Sequence, residues 1–273
     1  MEIQPIPDLY SEENTLLGGR VRLEQPAGGY RVAVDPVLLA AFTAARAGET
    51  VLDLGTGSGA AALCLAVRID DVRVVGLEAW EPAEAMARRN VRRNGLEDRV
   101  RIVAGDLRHP PADLMPEGKR FDRVMANPPY LRAGAATPPP DPWKAAANVE
   151  GAARLADWIA CAAAVLKPRG WFTLVHRADR VDEILGLLHG AFGAVTLFPL
   201  WPKAGEPARR ILVAAQRGTT SPARLLPGLV LHGPGGYTNE ADAVLRHGAP
   251  LVYETPPHPH LNAQQARNSA QQV

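Results

Sequence analysis

The sequence predicts an α/β fold in which helices cover both faces of a seven-stranded, mostly parallel sheet. Between residues 51 and 216, short apolar runs typical of buried strands alternate with longer stretches of helical periodicity. Such alternation favours parallel neighbours, because each connecting helix crosses over a face of the sheet. The last two runs are joined only by the segment from Pro202 to Arg209, which is too short for a crossover helix. We therefore predict that this pair forms a terminal antiparallel hairpin at the sheet edge.

The elements divide the chain into four predicted parts. Residues 1–48 are a lead-in expected to pack on the main domain, with a short strand pair predicted at 19–23 and 29–34 and an apolar helix from Pro36 to Ala45. Residues 49–217 form the main domain, residues 218–254 a Pro- and Gly-rich extension, and residues 255–273 a tail predicted to be disordered because it has almost nothing to bury. The predicted strands of the main domain are Val51 to Leu54, Val72 to Leu77, Val100 to Val103, Phe121 to Met125, Trp171 to Val175, Ala194 to Leu200 and Ile211 to Ala215.

The composition indicates a globular protein without a strong charge bias. The 273 residues are 47% hydrophobic, and 30 Lys and Arg against 29 Asp and Glu give a net charge of +1. Any nucleic-acid surface must therefore be a local patch. Cys64 and Cys161 lie in apolar helical stretches, which is typical of small core residues and not of a disulfide or zinc site. No apolar run approaches the roughly 20 residues that span a bilayer, so the cytoplasm is the expected location.

A glycine-rich loop follows the first predicted strand and leads into an apolar helix from Ala60 to Val67. Its glycines are Gly55, Gly57 and Gly59, with Thr56 between the first two. They permit a tight turn and close approach of a ligand to the backbone. A turn without ligand and a dinucleotide site are alternatives for such a loop. Asp53 argues against a dinucleotide, because a carboxylate before the first glycine suits a cofactor with ammonium and sulfonium groups better than a pyrophosphate.

Two further acids end the next two predicted strands. Glu78 stands where a carboxylate can accept hydrogen bonds from both ribose hydroxyls. Asp106 stands where a carboxylate can accept from an adenine amino group, while the backbone N–H of Leu107 is placed to donate to the ring. Each acid alone fits a solvent-facing strand end. Three acids at the carboxyl ends of three successive strands, the first beside a glycine loop, favour a nucleoside cofactor site.

The fourth predicted strand ends in the sequence Asn127-Pro128-Pro129-Tyr130. The Asn127 side-chain carbonyl and the Pro128 main-chain carbonyl can each accept one N–H bond from a planar nitrogen, and these bonds strengthen as positive charge develops on it. The prolines hold the backbone rigid. Tyr130 can stack on a flat acceptor. An isolated turn of this kind also fits a simple strand exit, but its place in the fourth strand after a cofactor loop favours catalysis.

Together these motifs resemble the series found in the class I amino-methyltransferases, which have a Rossmann-like fold and use S-adenosylmethionine. Within that group, the segment GYRVAVDPVLLAA at 29–41 and the segment YTNEA at 237–241 are similar to the bacterial tRNA1(Val) adenine-37 N6-methyltransferase family. The resemblance covers roughly residues 15–250. It implies an N-methyltransferase acting on an exocyclic amine of a nucleic-acid base, with adenine N6 in tRNA as the favoured acceptor and RNA as the partner.

The resemblance leaves three alternatives open. Ribosomal guanine-N2 and protein glutamine-N5 enzymes share the turn, although the sequence has few residues before Val51 for the helical N-terminal domain typical of the glutamine enzymes. A non-catalytic module that binds RNA or cofactor is the third, and the intact turn argues against it. The segment from Gly134 to Lys144 is richer in proline than the family pattern, which leaves the substrate preference open.

Basic residues are spread over several clusters. Those on the predicted helix between Arg88 and Arg99 have the pattern of a solvated surface. Arg132, Trp143 and Lys144 follow the catalytic turn and are expected to reach phosphates and bases of a substrate. His258 and His260 stand in the tail without carboxylate or thiol companions, so no metal site is expected.

Overall fold

The computed structural model describes residues 11–26, 32–132, 141, 143 and 150–251. Residues 29–31 of the predicted lead-in strand, Lys144, and the tail at 255–273 lie outside these ranges. The strands within them are β1 (Ser11–Leu16), β2 (Val21–Pro26), β3 (Thr50–Leu54), β4 (Arg73–Glu78), β5 (Val100–Ala104), β6 (Phe121–Ala126), β7 (Leu166–Arg177), β8 (Phe192–Lys203), β9 (Arg210–Arg217), β10 (Arg224–Leu225), β11 (Leu229–Gly233) and β12 (Gly236–Tyr237). The helices are α1 (Asp35–Phe42), α2 (Ala60–Arg68), α3 (Glu81–Arg93), α4 (Leu155–Val165), α5 (Val181–Leu188) and α6 (Asn239–His247).

The main sheet confirms the predicted α/β architecture. Its strand order is β12-β11-β8-β9-β7-β6-β3-β4-β5, and β10 also pairs with β8. The strands from β3 to β7 run parallel, and β9 runs antiparallel to both of its neighbours, β7 and β8. The seven predicted strands of the main domain, β3 to β9, are therefore all present, and the last two form the predicted antiparallel pair.

The sheet continues beyond this hairpin, which differs from the sequence expectation. Strands β10 and β11 from the Pro- and Gly-rich extension pair in parallel with β8, and β12 pairs with β11, so β8 is not the edge of the sheet. The extension was expected only as a segment after the main domain. Strands of two to five residues carry too little apolar periodicity to be recognised in the sequence. The strands of the extension form because the free edge of β8 offers unpaired backbone N–H and C=O groups.

The lead-in also pairs differently from the prediction. Strand β2 covers the first predicted segment, but its antiparallel partner is β1, with Ser11 opposite Pro26 and Leu16 opposite Val21. The proposed pairing of residues 19–23 with residues 29–34 is not seen among the described residues, where β2 pairs with β1 and residues 32–34 are not in a strand. The predicted apolar helix is confirmed as α1, which begins at Asp35 and ends at Phe42.

Two apolar layers cover the sheet. Val51 packs with buried residues of α1, α2, α3 and α6 in one cluster, whereas its neighbour Leu52 packs with buried residues of α4 and α5 in the other. Successive strand side chains point to opposite faces, so burial on both faces explains why the strands read as continuous apolar runs. Cys64 and Cys161 are free and buried, as expected of core residues. Within the described residues, no helix has the length and apolar character needed to cross a membrane.

Candidate active site

A cavity of roughly 380 Å³ lies at the carboxyl edge of the parallel strands. The glycine loop after β3, the ends of β4 and β5, and the turn after β6 all contribute to it. Carboxyl ends of parallel strands meet at one edge of a sheet, so acids distant in sequence become neighbours. Of the residues predicted for a cofactor or for catalysis, the cavity is lined by Asp53, Gly55, Thr56, Gly57, Glu78, Asp106, Leu107, Asn127 and Pro129.

Asp53 is buried beneath the glycine loop. Its Oδ2 accepts a hydrogen bond of 2.6 Å from the hydroxyl of Thr56, which fixes the carboxylate against the loop. Burial raises the pKa of Asp53 to about 7, an effect that the Thr56 hydroxyl partly opposes and the nearby Glu78 increases. An acid in this setting gains from a cation placed beside it, because desolvation penalises its negative charge.

The three loop glycines have left-handed backbone angles, with φ of 60° at Gly55, 59° at Gly57 and 87° at Gly59. A Cβ at Gly55 would lie 2.2 Å from the Trp158 indole, so this position packs against the protein. A Cβ at Gly57 would meet no atom within 4 Å, although Gly57 lines the cavity. The loop therefore leaves open space above Gly57, on the side from which a ligand would approach its backbone.

Glu78 ends β4 and is tied to the backbone around it. Its Oε2 accepts from the Gly57 N–H at 2.8 Å, and its Oε1 accepts from the Trp80 N–H at 2.9 Å. Burial raises the pKa of Glu78, and these backbone donors partly offset the increase. Each carboxylate oxygen retains a lone pair, so the held carboxylate can still accept two hydroxyl donors.

Asp106 lines the cavity beside Leu107. Its two oxygens are held by the guanidinium of Arg108, with distances from 2.5 to 3.1 Å, and Oδ1 also accepts from the Arg108 backbone N–H. Hydrogen bonds from Arg108 lower the pKa of Asp106. Arg108 also lines the cavity, and sequence analysis did not identify it. An adenine amino group would share the Asp106 carboxylate with this arginine.

The turn after β6 places Asn127 and Pro129 on the cavity, with Pro128 buried between them. The Tyr130 hydroxyl lies 2.7 Å from the Asn127 Oδ1 and 2.7 Å from the Asp35 Oδ2. The Arg210 guanidinium carbon lies 4.2 Å from the centre of the Tyr130 ring. The turn is therefore joined to α1 and to the start of β9, two elements that sequence analysis did not assign to the site.

A buried ionic cluster supports the turn from behind. Arg180, which is 6% exposed, contacts Glu150 at 2.6 Å and Glu183 at 2.7 Å, and one of its N–H groups lies 3.5 Å from the Tyr130 carbonyl. Arg132, predicted to contact substrate, pairs with the same Glu183 at 2.5 Å. Hydrogen bonds from Arg180 hold the pKa of Glu183 well below its usual range. Arg132 is exposed, but part of its charge is already balanced.

Three tryptophans line the cavity, and the sequence predicted only one of them as a site residue. Trp143, which was predicted to contact substrate, lines the cavity, and its ring meets the Trp80 ring edge-on with 4.4 Å between the ring centroids. Trp80 and Trp158 also line the cavity, and sequence analysis missed both. An aromatic residue two positions after Glu78 was the available signal for Trp80. Nothing local marks Trp158, which reaches the loop from α4.

Both the sequence and the fold of this chain are similar to those of known methyltransferases. The family model of the methyltransferase small domain matches residues 34–199. The chain is 31% identical over 224 residues to a tRNA1(Val) (adenine(37)-N6)-methyltransferase of Aeromonas salmonicida, covering 80% of this chain and 89% of that protein. It is 31% identical over 166 residues to the Porphyromonas gingivalis protein of the same name, covering 59% of this chain and only 64% of that protein. A solved structure of a predicted O-methyltransferase from Agrobacterium tumefaciens superposes with a TM-score of 0.67 at 25% identity, covering 81% of this chain and 100% of that one.

Proposed function

Because this chain belongs to the methyltransferase small domain family, with a Rossmann-like class I fold, we propose that it methylates an exocyclic amine of a nucleic-acid base. The methyl donor is S-adenosylmethionine, and the favoured acceptor is adenine N6 of a tRNA. The similarity to relatives named as tRNA adenine-N6 methyltransferases supports this acceptor. A tRNA substrate also implies action in the cytoplasm.

The single observation that carries the proposal is the position of the Asn127 turn on the same cavity as the buried acids. Asp53, Glu78 and Asn127 come from three strands and line one space. An S-adenosyl group fits this donor set, since Glu78 presents acceptors for ribose hydroxyls and Asp53 offers negative charge for the ammonium and sulfonium groups. The open space above Gly57 supports the same fit. Leu107 and Asp106 would hold the adenine.

The bound cofactor supplies an electrophilic methyl group, and the protein prepares the acceptor nitrogen. The lone pair of an aryl amine is delocalised, so attack requires the nitrogen to approach tetrahedral geometry. The Asn127 side-chain carbonyl and the Pro128 main-chain carbonyl accept its two N–H bonds and stabilise the positive charge that develops. Pro129 restricts the backbone that carries the Pro128 carbonyl. No strong base is needed, because the product ammonium releases its proton readily.

Tyr130 is proposed to position the acceptor base. Arg210 lies over its ring, and the His176 ring meets it at 78° with 5.4 Å between centroids. These contacts fix the orientation of the phenol ring, and an ordered ring loses less entropy when a base stacks on it. Arg132, Lys144 and Trp143 are proposed to contact the RNA outside the reacting base.

Asn127→Ala tests the mechanism. The variant is expected to bind S-adenosylhomocysteine and RNA nearly as the wild type does, while the single-turnover transfer rate falls by about 10²–10³. Tyr130→Ala is the matched comparison, because stacking acts before reaction as well as during it, and RNA affinity should fall together with rate. Loss of RNA affinity in proportion to rate in Asn127→Ala would make the asparagine a docking residue and contradict the mechanism.

The acceptor is tested separately with labelled S-adenosylmethionine. The protein is incubated in parallel with total tRNA, total rRNA and a purified release factor, and the labelled product is digested and identified. Methyl-adenosine in tRNA is expected. Label confined to rRNA or to the release factor would replace the acceptor with guanine N2 or glutamine N5, and no label in any pool would favour a non-catalytic module.

A further inference from the structure

We propose that Asp35 is a positioning residue for methyl transfer, which acts through Tyr130 to turn the carbonyl of Asn127 toward the acceptor amine. The inference rests on the proposed function, since it concerns the same turn. Asp35 is 7% exposed and lies at the first residue of α1, 92 positions before Asn127 in the chain. It does not line the cavity, so its effect must pass through a neighbour.

The geometry around the Tyr130 hydroxyl poses a proton-counting problem. The phenol oxygen is 2.7 Å from the Asp35 Oδ2 and 2.7 Å from the Asn127 Oδ1, and both of these atoms are acceptors. A phenol has one proton, and a carboxylate has none to share. Only one of the two short contacts can therefore be a hydrogen bond with that proton, and the other pair of oxygens would repel.

Charge decides which acceptor takes the proton. A hydrogen bond to an ionised carboxylate is roughly twice as strong as one to a neutral amide carbonyl. The Arg210 Nε lies 3.2 Å from the same Asp35 oxygen, and the N-terminus of α1 adds favourable partial charge. Both neighbours stabilise a negative Asp35. The Tyr130 proton is therefore directed to Asp35.

With the proton on that side, the Tyr130 oxygen offers a lone pair to Asn127. A turn of 180° about the Asn127 Cβ–Cγ bond, a soft torsion, brings its NH₂ group to that lone pair and removes the repulsion. The same turn moves the Asn127 carbonyl oxygen away from Tyr130. Since Asn127 lines the cavity and Tyr130 does not, this motion presents the carbonyl to the side where the acceptor amine would lie. Without Asp35, the phenol would donate to the carbonyl and occupy it.

Substitution at Asp35 tests this arrangement through kcat. In Asp35→Ala the Tyr130 hydroxyl is expected to hold the Asn127 carbonyl, and breaking that bond before each transfer should lower kcat by about tenfold. The KM for RNA and the affinity for S-adenosylhomocysteine should stay close to wild type. Asp35→Asn keeps the shape but removes the charge preference, so its kcat should fall by a smaller factor.

The decisive experiment is a double-mutant cycle with Tyr130→Phe, which removes the hydroxyl and keeps the ring. In that background, Asp35→Ala is expected to change kcat little, because no phenol proton remains to be directed. Glu49→Ala provides a structural control, since it breaks the Glu49 to Arg123 ion pair at the opposite edge of the sheet. It should lower thermal stability without altering kcat. If the factors by which Asp35→Ala and Tyr130→Phe each lower kcat multiply in the double variant, the proposal is overturned and Asp35 is a structural residue.

A readout without substrate separates this inference from the proposed function. The side-chain NH₂ of Asn127, assigned in isotope-labelled protein by its absence in Asn127→Ala, should exchange with solvent slowly in the wild type and faster in Asp35→Ala and in Tyr130→Phe. Equal exchange in all three proteins would overturn the positioning role even if methyl transfer is observed. Slow exchange in the wild type together with no transfer to any RNA would instead contradict the proposed function alone.

Discussion

Gly55 and Gly57 allow a matched test of the loop, because their backbone angles are almost equal, with φ of 60° and 59°. They differ in what an added methyl group would meet. At Gly55 the Cβ would lie 2.2 Å from Cη2 and 2.8 Å from Cζ3 of Trp158, whereas at Gly57 no atom lies within 4 Å. Trp158 is 7% exposed and packed in the core, so it has little room to move.

The two alanine variants should therefore separate stability from binding. Left-handed strain is about 1–2 kcal/mol in each variant. Overpacking against Trp158 adds about 1–3 kcal/mol in Gly55→Ala only, so that variant should lose about 2–5 kcal/mol of unfolding free energy. Gly57→Ala should lose only the strain component, but its methyl group projects into the open space where the cofactor is proposed to bind.

Denaturant unfolding and titration calorimetry with S-adenosylhomocysteine measure the two effects independently. We expect the larger loss of stability in Gly55→Ala and a clear loss of ligand affinity in Gly57→Ala at a modest loss of stability. Equal destabilisation of both variants would refute the packing argument. Wild-type affinity in Gly57→Ala would refute the placement of the ligand over that residue.

Three further predictions follow from the same edge of the sheet. Gly57→Val and Glu78→Ala should both weaken S-adenosylhomocysteine binding in calorimetry. Unchanged affinity in both variants would contradict the placement of the cofactor site at these residues. Burial, with a contribution from nearby arginines, lowers the pKa of His176 to about 4. Because the unfolded imidazole binds a proton that the folded one does not, the His176 contribution to the unfolding free energy should fall by up to about 3 kcal/mol as the pH drops from about 6.5 to 4, and denaturant unfolding should show this change as the difference between wild type and His176→Phe. Since the pKa of Asp53 is raised to about 7, affinity for S-adenosylhomocysteine should rise up to about tenfold from pH 6 to 8 relative to Asp53→Asn, and parallel pH profiles would contradict this.

The unfolding free energy of the wild type will combine opposing contributions in acid. The buried Asp53 binds its proton more tightly in the folded state than in the unfolded state, because its pKa is raised. Its contribution to stability therefore falls as the pH rises through about 4 to 7, whereas the contribution of His176 rises over about 4 to 6.5. The two contributions oppose each other in the wild type, so the difference in unfolding free energy between wild type and each variant is the quantity to compare.

The sequence by itself determined the features that depend on short segments. Strand periodicity identified β3 to β9, and the glycine loop, Glu78, Asp106 and the turn at Asn127 could be assigned to one edge. The reason is that a parallel sheet brings the carboxyl ends of its strands together, whatever the intervening sequence. Local signals and one topological rule were enough to predict which of these residues share a cavity.

Only the tertiary structure decided which distant side chains meet that edge. The contact of Tyr130 with Asp35 spans 95 positions, that of Arg210 with Asp35 spans 175, and Trp158 reaches Gly55 from another helix. The pairing of β1 with β2 and the addition of β10 to β12 were decided in the same way. Such partners depend on the positions at which packed helices and strands bring remote atoms within a few ångströms. No periodicity along the chain encodes that distance, because it is set by the packing of the whole core.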